Sequence, residues 1–529
     1  MQFQLANSGA AGTLARMSEA IAAIHRLEVH LTRASSAAGY YELGGLKLAA
    51  NDISGAIAAY HKCLTLAPPT AAVYNNLGTA LIKAGQFAAA VPVLEAALAL
   101  QPRYARALVN LGKALREVGR VADALSRLRE ALSIEADYVP ALINFGDALA
   151  ADGEIDTAQE ALERAVRLAP GLAEARASLG IARLRAGKID ESVQMLTAAV
   201  DLAPQHAEAH MNLGHALFVA GDWQAAWPHF EYRFARPAYK AQQLKPPDLP
   251  RWDGTMSSET MIWLVGEQGL GDQIQFARYA TLLAERGMRC TLACDPKLKR
   301  LLHDSTIGVP VESFDSIPHD TGTCWFPLMS LPAWHRTDRH SVPAAGDYLR
   351  ADPARVAHWR ARLPGHGLRV ALAWAGNPRM ETGRHSGRSP PLESLAPLLE
   401  VSGIEFISLQ KGAGEQQLDG VPFGQRIHRF ADLDAGPDAF VDTAAILSSV
   451  DLLITSDSAI AHVAGALGVA TWLCLMHEPD WRWMLDGGAT PWYRSMRLFR
   501  QPARSNWGAV FVNVAQELAA LQSSRRPCD

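Results

Sequence analysis

Cysteine is scarce in this sequence, and none is arranged for chemistry. Only six occur among 529 residues (Cys63, Cys290, Cys294, Cys324, Cys474, Cys528), without CxxC spacing. Cys290 and Cys294 straddle a predicted strand, poor geometry for a zinc ligand pair, so reduced thiols in a cytoplasmic protein are expected. Long apolar runs are lacking too. No window reaches about 18 uninterrupted apolar residues, and the opening MQFQLANSGAAGTLARMSEA has no basic stretch leading into an apolar core, so neither a membrane span nor a secretory signal is expected. Nor is there an excess of one charge. A formal charge of -4 and a pI near 6.5 give no whole-chain attraction for nucleic acid or an anionic membrane, so any electropositive site is local. With 49% hydrophobic and 20% charged residues, the chain is globular material with room for several domains.

What the sequence has in plenty is self-similarity. Gly44, Gly78, Gly112, Gly146, Gly180 and Gly214 recur every 34 residues, each after Leu or Phe. A second glycine follows seven residues later (Gly85, Gly119, Gly153, Gly187, Gly221), with Asn51 in the first unit. Then comes a small residue, at Ala56, Ala90, Ala124, Ala158, Ser192 and Ala226. Pro68, Pro102, Pro170 and Pro204 close four units, Ala136 being the exception. Each unit reads as two antiparallel helices: the first glycine lets backbones approach, the second ends helix one, the small residue sits at the crossing, and proline stops helix two. The pattern resembles the tetratricopeptide repeat over residues 40–236, in six units, which implies an α-solenoid whose groove takes a peptide or partner protein. Residues 1–39 are expected as a helical N-terminal cap, because MSEAIAAIHRLEVHL resembles the second-helix segment SGAIAAYHKCLTL.

Asn76, Asn110, Asn144 and Asn212 occupy one equivalent position, with Ser178 standing in once. Two roles are open to them: tolerated residues on a solvated helix face, or a ladder of amides that hydrogen-bonds an extended peptide backbone. The repeats of eukaryotic O-GlcNAc transferases carry a similar ladder, and that resemblance implies the second role, an acceptor groove.

The repeats stop after residue 234, and proline-rich KPPDLPRWDG marks a linker at 237–257. Beyond it, a strand-length apolar run at 261–267 is followed by a glycine loop, helical spacing over 272–286 and the strand-like CTLACD. The alternation returns at 369–376, 405–411, 451–456 and 470–476, so two parallel-sheet lobes are expected, 258–360 and 361–529.

In order, the chain contains GEQGLGDQIQFARY, PLMSLP, VALAWAGNP, RSPPLESLAPLL, FISLQKG, DTAAILSSVDLLITSDSAIAHVAGALGVATWLCL and DWRWM followed by PWYRSMRLFRQ. These segments resemble the GT-B glycosyltransferases, most closely the heptosyltransferase-like type (glycosyltransferase family 9), here behind repeats as in the O-GlcNAc-transferase-like architecture. The resemblance implies a GT-B fold of two Rossmann-like lobes, acceptor side first and nucleotide-sugar donor side second.

The loop Gly269-Leu270-Gly271-Asp272 fits neither GxGxxG nor GxxxxGK[ST], so it is neither a dinucleotide fingerprint nor a Walker loop. Gly269 and Gly271 permit close approach of a donor. Asp272 is open to two roles, helix N-cap and, as the resemblance implies, the base that deprotonates an acceptor hydroxyl. Ser456, Asp457 and Ser458 form a second strand-to-helix loop suited to a donor diphosphate, with Asp457 orienting the loop or meeting sugar hydroxyls. His462, one turn into the helix, either reaches the phosphates or packs against the sheet. Compensating positive charge falls to Arg388 and Lys411, beside Gln410, unless these cations are simply solvated. Where the heptosyltransferases use lysine, this chain has Arg388. Trp481 either edges the donor pocket or completes a core. No DxD pair lies in a suitable loop, so no metal and no cofactor beyond the nucleotide-sugar substrate are expected.

The combined expectation is an inverting, metal-independent glycosyltransferase that moves a sugar from a nucleotide-sugar to a hydroxyl of a protein held by the repeats. The resemblance extends to flagellin glycosyltransferases, which makes flagellin or another surface protein one acceptor. Transfer to a polysaccharide or lipid-linked glycan, and a non-catalytic scaffold, are the alternatives; nucleic acid is not an expected partner.

Overall fold

Each 34-residue unit folds as a helix pair hinged at a residue with positive φ. In the computed structural model, residues 7–236, 249–255, 259–318, 323–343, 347–365, 367–378, 381 and 387–524 are described, without the side chains of 7–18, 20 and 413. Helix α1 (Asn7–Arg33) precedes the pairs α2/α3 (Ala37–Ala49, Ile53–Leu66), α4/α5 (Ala71–Lys83, Phe87–Leu100), α6/α7 (Ala105–Glu117, Val121–Ile134), α8/α9 (Val139–Asp152, Ile155–Leu168), α10/α11 (Ala173–Arg185, Ile189–Leu202) and α12/α13 (Ala207–Ala220, Trp223–Phe230). The hinge glycines follow one rule: Gly119 and Gly153 have φ of 83° and 98°, and Asn51 fills the same role at 63°.

In the first five units the first glycine does something more specific than admit a backbone, whereas Gly214 of the sixth faces the backbone of α13 and Cβ of His229. A Cβ on Gly112 would lie 2.6 Å from Cγ of Leu128 on the second helix, and Gly78, Gly146 and Gly180 face Leu94, Leu162 and Leu196 in the same way. The space is taken by a side chain sixteen residues on, a knob that only glycine leaves room for. Ala56, Ala90, Ala124, Ala158 and Ser192 are wholly buried, as a close helix crossing requires.

The chain divides into two compact units, Met1–Ala209 and His210–Asp529. The division falls inside α12, so most of the sixth repeat belongs to the second unit. There, two all-parallel sheets follow. The first has the order β3-β2-β1-β4, from β1 (Met261–Val265), β2 (Arg289–Cys294), β3 (Val311–Ser313) and β4 (Thr323–Pro327). The second has the order β10-β9-β8-β5-β6-β7, from β5 (Leu368–Ala373), β6 (Ile404–Ser408), β7 (Ile427–His428), β8 (Leu452–Ser456), β9 (Thr471–Leu475) and β10 (Met496–Arg500). Helices α14 (Leu270–Glu285), α15 (Pro353–Arg362), α16 (Val441–Leu447), α17 (Ala459–Ala466) and α18 (Trp507–Ser524) accompany them.

The strands read as unbroken apolar runs because parallel sheets are covered on both faces; β8 is buried at every position. From the linker, residues 237–248 and 256–258 lie outside the described residues, while Arg251 bridges to Trp325 and extends the edge at β4. No helix among the described residues is long and apolar enough to cross a membrane. Cys528 lies outside the described residues, and the other five cysteines are buried and free.

Candidate functional site

Strand order places the site. In the first sheet the chain runs outward from β1 to β2 and β3, then returns to the other side for β4; in the second it reverses at β5 and β8. Loops leaving the carboxyl ends of such strands diverge and open a crevice, the usual ligand position in parallel α/β sheets. The glycine loop leaves β1, residues 374–378 leave β5, and Asp457-Ser458 leave β8. Ser456 ends β8, and every other sequence-predicted residue of the second unit except Asn212, Arg388 and Trp481 lies on a loop or in the first turn of a helix that follows a strand.

These loops meet. A Cβ on Gly271 would lie 2.8 Å from Cδ2 of His462 and 3.2 Å from Cα of Ala459, so α14 and α17 approach through this glycine. Asp272 is not the N-cap. Gly269 caps α14, and Asp272 sits at the third helical position, where its Oδ2 accepts the Gly269 N–H at 3.1 Å. Its Oδ1 accepts from Nη2 of Arg482 at 2.6 Å, across from the other sheet. Burial pushes the Asp272 carboxyl above the ordinary aspartate range, against the pull of Arg482 and the Gly269 N–H.

Arg482 is the hub. It also donates to Asp480 Oδ1 at 2.8 Å and to Gln275 Oε1 at 2.8 Å. Asp457, on the facing loop, is raised to about 6, first by burial and then by the charge of Asp480, with Arg388 opposing. His462 is pushed down to about 3 by burial and by Arg482 and Arg278, so its imidazole is neutral; Nδ1 lies 3.0 Å from the Tyr493 hydroxyl. Arg482 thus pairs directly with Asp272 and Asp480, while Arg388 acts on Asp272 and Asp457 through its charge.

The remaining predicted residues separate. Arg388 is mostly buried beside Gly376, with Glu381 at 4.0 Å, and its Nε has no hydrogen-bond partner among the described residues. Ser456 donates to the Trp374 carbonyl at 3.0 Å, and Ser458 is the N-cap residue of α17. Gln410 uses its whole amide on backbone: Oε1 accepts from Trp374 and Ala375, and Nε2 donates to the carbonyls of Ala375 and Lys411. It therefore stitches the β5 loop to the β6 loop rather than facing a ligand. Lys411 is exposed. Trp481, expected at the donor pocket, is buried among protein rings, stacked on Phe218 at 4.0 Å. This corrects the pocket role: its alternative, completing a core, is where the structure puts it.

The asparagines also differ among themselves. Asn76 donates to the Tyr41 hydroxyl at 3.1 Å, and Asn110 donates to Asn75 Oδ1 at 2.9 Å and Thr79 Oγ1 at 3.0 Å. Asn75 in turn donates to Asn76 at 3.3 Å, giving a linked row across α2, α4 and α6. Asn144 instead donates to its own helix, at the Pro140 carbonyl, and Asn212 belongs to the second unit.

Two features escaped the sequence reading. Arg482 was read only together with Asp480, interleaved among the tryptophans of a loop at the edge of the donor pocket, and Arg233 and Glu267 were not singled out at all. A signal existed: each is a charged residue inside an aromatic or strand-like stretch (DWRW, FEYRF, LVGE), where charge is costly unless paired.

The fold and site define a tetratricopeptide-repeat solenoid, a protein-interaction module, followed by a parallel α/β part. Family descriptions of the tetratricopeptide repeat match residues 69–137, 115–184 and 178–238. The chain is similar to Protein FlbA of Caulobacter vibrioides, with 28% identity over 337 residues, covering 58% of this chain and 54% of the relative. It thus spans about half the length of the curated relative it matches. Among solved structures, a thermophilic tetratricopeptide-repeat protein of Thermus thermophilus is 24% identical over 34% of this chain and 99% of its own, with a TM-score of 0.32. PilF of Pseudomonas aeruginosa is 20% identical over 38% of this chain and 92% of its own, also at 0.32.

Proposed function

We propose that this chain is a GT-B glycosyltransferase that transfers a sugar from a nucleotide-sugar to a hydroxyl of a protein acceptor docked on the repeats. One observation carries the reading: loops from the switch points of two separate parallel sheets meet at a mostly buried cluster of carboxylates and guanidiniums. The ordered motifs shared with the heptosyltransferase-like proteins support it.

In this mechanism the acceptor oxygen attacks the anomeric carbon as the bond to the donor phosphate breaks, and the electron pair departs on the nucleotide. Asp272 takes the acceptor proton; its raised affinity for protons suits a base that must hold one. Arg388 and the start of α17 stabilise the charge on the leaving nucleotide. Arg482 keeps Asp272 oriented and, as the proton arrives, remains paired with Asp480.

The test is thermal stabilisation by UDP, GDP, ADP, CMP and their sugar conjugates, followed by transfer assays with the ligand that binds. Ligand at about one hundred times its Kd stabilises the fold by about 2.7 kcal/mol. Asp272→Asn is expected to keep this stabilisation and lose about 10²–10⁴-fold in transfer, whereas Arg388→Ala loses the stabilisation itself. Absence of a shift with every nucleotide, in full-length protein, would leave a scaffold as the surviving reading.

A further inference from the structure

Both sides of the candidate site rest on the sixth repeat. The chain leaving α13 runs Phe230-Glu-Tyr-Arg-Phe234, and Arg233 is only 1% exposed. Its Nε and Nη2 donate to the two carboxylate oxygens of Glu267 at 3.1 and 2.8 Å, a fork-to-fork pair. Nη2 also donates to Ser330 Oγ at 2.7 Å, and Nη1 to Glu231 Oε1 at 2.7 Å. Glu267 is in the glycine loop itself, two residues before Gly269, and it further accepts the Met329 N–H at 3.1 Å from the loop after β4. One guanidinium therefore fixes the loops that leave two neighbouring strands of the first sheet, the central β1 and the edge strand β4.

The second lobe is held by the same repeat. Trp481 stacks on Phe218 of α12 and lies edge-on to Trp223 and Trp227 of α13, with centroids 5.3 and 5.8 Å away. The next residue is Arg482, which grips Asp272. A fork on one side and an aromatic stack on the other thus set the two ends of a single ion pair.

We infer that the sixth repeat is a built-in part of the catalytic site, in which Arg233, acting through Glu267, and the Phe218–Trp223 pair, acting through Trp481, are positioning residues for the Asp272–Arg482 pair. The catalytic half of this inference rests on the reading given under Proposed function; the positional half does not. Lysine cannot replace Arg233, because a point charge cannot occupy both oxygens of Glu267 and reach Ser330 as well.

The experiment uses the full chain with Arg233→Lys and Trp481→Phe, chosen to keep charge and apolar volume, and Arg164→Lys as a solvent-exposed control. Hydrogen exchange is followed in peptides covering 266–273 and 480–484, alongside kcat, KM and the pH profile of transfer. The expected result is exchange at least about tenfold faster in both segments, unchanged exchange in β6, and kcat lowered about 10- to 100-fold with the donor KM within about twofold. The acidic limb of the kcat profile should move, because the spacing of Asp272 and Arg482 sets it. Unaltered exchange in both segments, or altered exchange with kcat and pH profile intact, overturns the inference. If the parent chain binds no nucleotide, the glycosyltransferase reading fails, while the exchange measurement still decides the positional claim.

Discussion

The packing of a repeat glycine against a leucine sixteen residues later can be tested by a double-mutant cycle at Gly112 and Leu128. A methyl group on Gly112 would sit 2.6 Å from Leu128 Cγ and 3.0 Å from both its methyls, and Leu128 is wholly buried. The leucine must therefore shift by about an ångström or leave its rotamer, an overpacking cost of about 1–3 kcal/mol. Against this, alanine gains about 1 kcal/mol over glycine inside a helix. Gly112→Ala should thus destabilise by roughly 1 kcal/mol, although on propensity alone it would stabilise. Leu128→Ala opens a cavity and should cost about 2–5 kcal/mol. In the double variant the new methyl enters that cavity without a clash, so the loss should fall short of the sum by about 1–2 kcal/mol. Urea unfolding by far-ultraviolet circular dichroism, with amide exchange in α6 and α7 to localise the effect, measures the cycle. Stabilisation by Gly112→Ala alone, or additivity within about 0.5 kcal/mol, would refute the knob-on-glycine account.

Other outcomes follow from the same structure. Gly153→Ala should cost about 1–2 kcal/mol from backbone strain alone, since nothing lies within 4 Å of the added methyl, whereas Asn51→Gly should be nearly neutral; thermal melts compare them. His462 and Asp457 predict opposite pH effects. The unfolded imidazole takes a proton near pH 6.5 while buried His462 resists to about 3, so its contribution to stability is complete above that range and is lost as pH falls, at up to about 1.4 kcal/mol per unit. Asp457 keeps its proton up to about pH 6, so its contribution grows as pH falls through that value. His462→Gln should flatten the acid loss, and Asp457→Asn should raise the melting temperature near neutrality with a gain that vanishes by about pH 4; parallel melting profiles for both would contradict the assignments. Trp481→Ala should cost about 3–5 kcal/mol and release the quenching of neighbouring tryptophans, read by fluorescence-detected unfolding.

How legible the site was depends on what each residue's role requires. Asp272 and the Ser456–Ser458 loop could be singled out in the sequence because strand-loop-helix punctuation is local. Of the two roles open to Asp272, the N-cap falls to Gly269, whose backbone conformation carries no side-chain signal, and Asp272 joins the cap from the third helical position. Gln410 and Trp481 were placed with the ligand on proximity along the chain, but the first is spent on backbone amides and the second is enclosed by rings from a segment more than two hundred residues earlier. The reach of Arg233 and Arg482 was missed because the partners that matter to the site, Glu267 and Asp272, lie 34 and 210 residues away along the chain.

By itself the sequence determined the period of the solenoid, the hinge in each repeat, the existence of two parallel-sheet lobes and the loops that lead from strands into helices. All of these depend on interactions within a few dozen residues: a steric requirement at one φ, a run of apolar side chains, a helix start. Only the tertiary structure decided that the sixth repeat packs into the α/β part, that Arg482 reaches Asp272 from the opposite sheet, and that burial raises two carboxyls and silences one imidazole. Those outcomes depend on which surfaces lose water together, a property of the assembled chain and of no local stretch within it.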